Sequence, residues 1–146
     1  MTILTIGFTQ KSAERFFTLL KDAKVETLVD VRLNNVSQLA GFAKRDDLRF
    51  FVKEICGAEY VHETVLAPEP EMLKAYQNDA MSWGDYEKRF LDLMAKRRIE
   101  AKFSPSDLEK ACLLCSEHTP HQCHRRLVAE YLSAQWARPL EVIHLK

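Results

Sequence analysis

The stretch Cys112–Tyr131 reads CLLCSEHTPHQCHRRLVAEY, and its pattern decides the fold. It is entered through a short apolar run, Ala111-Cys112-Leu113-Leu114-Cys115. A polar segment from Ser116 to Gln122 follows, and then Leu127, Val128, Tyr131 and Leu132 recur at helical spacing. A short apolar run, a polar turn and an apolar helix stripe predict strand, loop and helix. In an open α/β sheet that junction lies at the carboxyl end of a strand, where such folds bind ligands. Three of the five histidines and three of the four cysteines fall here, which concentrates the reactive side chains at one strand end.

The same alternation extends in both directions. Ile3-Leu4-Thr5-Ile6 is a compact β-rich run ended by Gly7, and Thr9 or Ser12 can cap a helix with Ala13, Phe16, Phe17 and Leu20 on one face. Thr27-Leu28-Val29-Asp30-Val31 is a second buried strand, with Asp30 near its end and Arg32 just past it. A carboxylate there is costly unless it is paired or opens into the strand-end crevice. Asn34 to Lys44 has no period and reads as a ligand-covering loop. Asp46 or Asp47 then caps a helix that Gly57 stops, and Glu59–His62 is a third strand. A short helix near Glu71–Asn78, a longer one from Gly84 or Asp85, and a break at Ser104–Asp107 lead back to the central stretch. Its helix runs from His124 to Gln135, and Leu140–Leu145 is a final strand. This order predicts a single α/β domain over residues 1–146: a three-layer α/β/α sandwich, Rossmann- or flavodoxin-like, with a mostly parallel five-stranded sheet.

Length and composition agree with one globular domain that buries its own core. Twenty-one basic and twenty-one acidic residues cancel, which argues against coating nucleic acid by bulk charge. No apolar run approaches the ~18 residues of a membrane span. MTILTIGF carries neither a basic leader nor a long apolar region, so a cytoplasmic protein without a secretory signal is expected. Its cysteines then read as thiols or ligands, not as a disulfide framework.

The segments TIGFT, LVDVR, GFAK, EYVH and LLCSEHTPHQCHRRLVAEYL, in this order and spacing, resemble the domain of unknown function 488 family (DUF488) over nearly the whole chain. Many members have a histidine after the opening glycine, where this chain has Phe8. The resemblance implies an α/β fold and a shared polar site, without a settled reaction. Its pattern falls on Asp30, Arg32, Cys115, Glu117, Cys123, His124 and Arg125.

The residue types suggest their chemistry. Arg125 opens a helix, whose free N–H groups favour an anion, and Arg32 supplies a second guanidinium fork from another strand end. Gly7, Thr9, His62, Gln38 and Lys44 line the same crevice in this reading. The alternative pairs the arginines internally with Asp30 and Glu117. Cys115 and Cys123 near a helix start, beside His124 and Arg125, are candidate thiolates. Cys115, Glu117, Cys123, His124 and Asp30 form the candidate catalytic set, with His124 or Glu117 as acid/base partner. No cofactor or metal is expected. Cys112 and Cys115 resemble a zinc knuckle, but on a strand they point to opposite faces. Zinc on Cys115, Cys123 and a histidine remains an alternative.

The leading expectation is an enzyme acting on a small anionic, nucleotide-like molecule or a nucleic-acid end. A second is sulfur transfer or thiol redox, since LVDVR before a strand-ending cysteine is faintly similar to rhodanese-like domains. A third is a non-catalytic module associated with nucleic acid.

Overall fold

A computed structural model describes residues 1–35, 41–115, 123–137 and 140–146. Gln38 and Glu117 lie outside the described residues. Five strands form one sheet: β1 (Thr2–Gly7), β2 (Thr27–Asp30), β3 (Glu59–His62), β4 (Ala111–Cys115) and β5 (Glu141–Leu145). Their order is β3-β2-β4-β1-β5, and every pairing is parallel. The expected α/β sandwich is therefore present, with a sheet that is parallel throughout. The helices are α1 (Ala13–Asp22), α2 (Arg45–Cys56), α3 (Pro70–Gln77), α4 (Trp83–Arg97), α5 (Ile99–Lys102) and α6 (His124–Gln135).

A parallel sheet covered on both faces has two cores, and successive strand residues alternate between them. Leu4, Ile6, Leu28, Cys112 and Leu114 meet Phe16 and Leu20 of α1 and Leu48 and Val52 of α2. Ile3, Val29, Leu113 and Cys115 meet Phe90 and Met94 of α4 and Leu127 and Leu132 of α6. Cys112 and Cys115 thus sit in different cores, which rules out the knuckle.

Element ends follow local chemistry, with some differences from expectation. Ser12, not Thr9, caps α1 by accepting from the Arg15 N–H. The start of α2 lacks a side-chain cap. The chain enters it at Lys44, and Asp46 and Asp47 lie inside the first turn, where their charge still favours the dipole. Gly57 ends α2 in the left-handed region that glycine adopts freely. Ser82 caps α4 and starts it ahead of Gly84. The basic residues at its end differ in exposure. Arg97 is half-buried and donates to the carbonyls of Val65 and Ala67, both at 2.7 Å, while Arg98 is exposed. Among the described residues, no helix is long and apolar enough to cross a membrane.

The topology positions the site. β1 and β4 are neighbours, with Gly7 opposite Cys115. The helix that follows β1, α1, packs on one face of the sheet, and the helix that follows β4, α6, packs on the other. Two adjacent strands whose connections depart to opposite sides open a crevice at their carboxyl ends, the switch point of such sheets.

Candidate active site

At the end of β2, Asp30 is fully buried, and the chain immediately supplies its partner. Arg32 donates to it three times: backbone N–H to Oδ1 at 3.1 Å, Nε to Oδ1 at 2.8 Å and Nη2 to Oδ2 at 2.7 Å. The Tyr60 hydroxyl adds a fourth bond, to Oδ2 at 2.6 Å. Asn35 Nδ2 in turn donates to the Tyr60 oxygen at 3.0 Å. Burial, then the adjacent Asp30 carboxylate, pushes the Tyr60 phenol well up. The β2–β3 register places His62 opposite Asp30, and its Nε2 donates to the Arg32 carbonyl at 2.7 Å. The Arg32 guanidinium stands 5.4 Å from the centre of the Phe8 ring. Its remaining nitrogen, Nη1, is buried and has no hydrogen-bond partner among the described residues.

The thiols lie across the sheet edge. Cys115 ends β4, Cys123 immediately precedes α6, and His124 is its first residue. All three are buried, with their sulfur and ring-nitrogen atoms within 4.8 Å of one another. His124 Nε2 lies 2.7 Å from the Val31 carbonyl oxygen. A carbonyl only accepts, so Nε2 carries the proton and Nδ1 is left facing the Cys115 sulfur at 3.7 Å. The Phe90 ring, 5.5 Å from the imidazole, closes one side. Burial alone would push the His124 pKa down, but the Cys115 charge and hydrogen bond and the Val31 carbonyl outweigh it, and the pKa is raised. Cys123 is pushed well up, by burial first and then by the neighbouring Cys115 sulfur, although the Arg125 charge and backbone N–H act the other way. The same two sulfurs, after burial, hold the Tyr86 phenol up.

Arg125, the second residue of α6, is fully buried, and its charge is felt at Cys112, Cys123 and Lys11. Arg126 points away, to Glu87 at 3.3 Å and Glu130 at 3.5 Å.

The structure thus brings Asp30, Arg32, His62, Cys115, Cys123, His124 and Arg125 to one end of the sheet. Gly7 is buried beside Cys115. Thr9 is exposed in the loop after β1, and Lys44 is exposed at the start of α2. Cys115, Cys123 and His124 are also the described residues with a donor set suited to zinc. Sequence reasoning missed Tyr60, Asn35, Phe8, Lys11 and the Val31 carbonyl. For Tyr60 a signal existed: two residues before His62 on a strand, it shares that residue's face.

The model of the family described as "Domain of unknown function DUF488" matches residues 12–132. The chain belongs to that family. The DUF488 match takes in β2, β3, β4 and most of α6, and so the Asp30–Arg32 pair and the thiol cluster. Neither the curated proteins nor the solved structures include a match to this chain.

Chemically, the cluster offers a thiol whose proton can pass to an oriented imidazole, beside fixed positive charge. Such an arrangement suits a sulfur nucleophile attacking an anionic electrophile.

Proposed function

We propose that this DUF488 protein is an enzyme using Cys115 as a nucleophile on a small anionic substrate, nucleotide-like ones included, bound where β1, β2 and β4 end. The observation that carries the reading is the contact between Cys115 Sγ and the inward nitrogen of a histidine locked by a main-chain carbonyl. His124 takes the thiol proton and later returns one to the leaving group. Arg32 and Arg125 hold the anion, and Asp30 positions Arg32.

The test is alkylation of the native protein, followed by mass spectrometry. Cys56 is the internal comparison: it is more exposed than Cys115, and burial pushes its thiol up. Cys115 is expected to react ahead of Cys56 at neutral pH. Iodoacetate is expected to gain on iodoacetamide relative to a free thiol, and to lose that gain in Arg32→Ala. Reaction at Cys56 first, with Cys115 modified only after unfolding, would sink the proposal.

Thiol-redox chemistry is a second reading, favoured by the closeness of the Cys115 and Cys123 sulfurs, within 4.8 Å of each other. In it, the Cys115 thiolate attacks a disulfide RSSR and expels RS⁻. Cys123 then gives up its proton and attacks the Cys115 sulfur, expelling the second RS⁻. Two protein thiols are oxidised and one disulfide is reduced to two thiols. Oxidised glutathione should therefore remove two hydrogens from a Cys112→Ser protein. It should leave a trapped glutathione adduct on Cys115 when Cys123 is also replaced by serine. An unchanged mass in both proteins would eliminate this reading.

A further inference from the structure

We infer that Lys11 is a further cation of the anion site, and that the group it helps to hold is phosphoryl. This deepens the proposed function and rests on it. Lys11 lies in the connection from β1 to α1, where its backbone N–H donates to the Phe8 carbonyl at 3.2 Å and folds the chain over the end of β1. That is the β1 side of the switch point, whose β4 side carries Cys115.

A lysine ammonium ordinarily reaches water along its flexible stem. Here Nζ is buried and has no hydrogen-bond partner among the described residues. The charges acting on it are Arg125 and Arg15, both repulsive, and they add to burial in lowering its pKa. Arg32 repeats the pattern from the β2 side. Its side chain is only 4 % exposed, and Nη1 is buried and unpartnered among the described residues. Phe8 links the two, with its carbonyl bound by the Lys11 N–H and its ring beneath the Arg32 guanidinium.

Burying cationic donors without acceptors is costly, and two of them held against one residue, Phe8, ask for one compensating anion. Asp30 already absorbs three donors of Arg32, so a ligand meets Arg32 through Nη1, Lys11 through Nζ, and the charge of Arg125 at the start of α6. A carboxylate offers one charge and two coplanar oxygens. A phosphoryl group offers several oxygens in different directions and a charge of about −1.5 to −2 near neutral pH. Arginine forks, lysine point charges and helix N-termini are the protein groups that bind it best. The substrate class is then a phosphate ester or anhydride, with its phosphoryl group placed beside Cys115.

The test uses inorganic phosphate as probe, with calorimetry and thermal shift at matched ionic strength, on wild type, Lys11→Met, Lys11→Arg and Arg32→Ala. Phosphate should raise the melting temperature of the wild type more than acetate does. Lys11→Met should weaken phosphate binding about tenfold or more, and Lys11→Arg should retain most of it. Phosphate should also slow acetylation of Lys11 in the wild type relative to its other lysines, a readout that stands even if Lys11→Met does not fold. Unprotected Lys11, or wild-type affinity in Lys11→Met alongside loss in Arg32→Ala, would remove Lys11 and leave the anion site intact. Acetate binding as well as phosphate would overturn the phosphoryl assignment. Absence of any anion effect, together with no iodoacetate preference, would overturn the anion reading itself.

Discussion

Asp30→Ala is expected to destabilise the protein by about 3–5 kcal/mol, measured by urea unfolding. The alanine removes one carboxylate, but the larger effect falls on what remains. Arg32 stays buried with its charge uncompensated, and the Tyr60 hydroxyl loses its acceptor. Tyr60→Phe is the control. It leaves the carboxylate–guanidinium pair in place and should cost about 1–3 kcal/mol, because it removes the bond to Asp30 and leaves the buried Asn35 Nδ2 without its acceptor. The gap between the two variants reflects the cost of leaving Arg32 buried without its counter-charge. A loss below about 1 kcal/mol for Asp30→Ala would mean that Arg32 behaves like a solvated surface cation.

His124→Ala is expected to have the largest effect on thiol chemistry. An ordinary cysteine thiol has a pKa near 8.5, so at about pH 6 only a few parts per thousand is thiolate. With His124 in place, alkylation of Cys115 should persist as the pH falls to about 6. In His124→Ala it should fall roughly tenfold per pH unit below about 8, ending about a hundredfold or more below wild type. Parallel profiles for the two proteins would show that the imidazole does not ionise the thiol. Stability should carry the matching signature. The folded state holds the His124 proton more tightly than the unfolded chain does. Its contribution is therefore fully present below about pH 6.5 and is lost as the pH rises through the folded-state value.

The sequence was most legible where periodicity is strong. The strand at Ala111–Cys115, the helix beginning at His124 and the third strand Glu59–His62 lie where their patterns predict, because one-sided burial imposes a fixed spacing. The opposite facing of Cys112 and Cys115 followed from strand alternation alone. Helix starts were less legible: α2 takes Asp46 and Asp47 as first-turn charges because Lys44 already has the extended backbone of an entry residue. At the site, the convergence of Asp30, Arg32, Cys115, Cys123 and His124 was readable, since strand ends share one edge. What these residues do to one another was not. Whether Arg32 turns to Asp30 depends on side-chain geometry: Nε and Nη2 are on the carboxylate, and Nη1 is buried without a partner among the described residues. Lys11 escaped notice because a lysine in a polar loop is almost always solvated, and only packing marks its ammonium as buried.

The group that aims His124 is the main-chain carbonyl of Val31, whose own N–H is bound to the Leu114 carbonyl. Every amino acid carries that oxygen. Replacing Val31 would disturb its fully buried isopropyl group but could never delete the acceptor. An alanine scan would therefore score position 31 as hydrophobic filling, and a family profile would record only a preference for an apolar residue. The orienting partner of the imidazole is thus invisible to mutational genetics. To weaken it requires changing the backbone itself, for instance an ester in place of the amide between residues 31 and 32, which makes that carbonyl a poorer acceptor and leaves every side chain in place, at the cost of the Arg32 N–H that donates to Asp30.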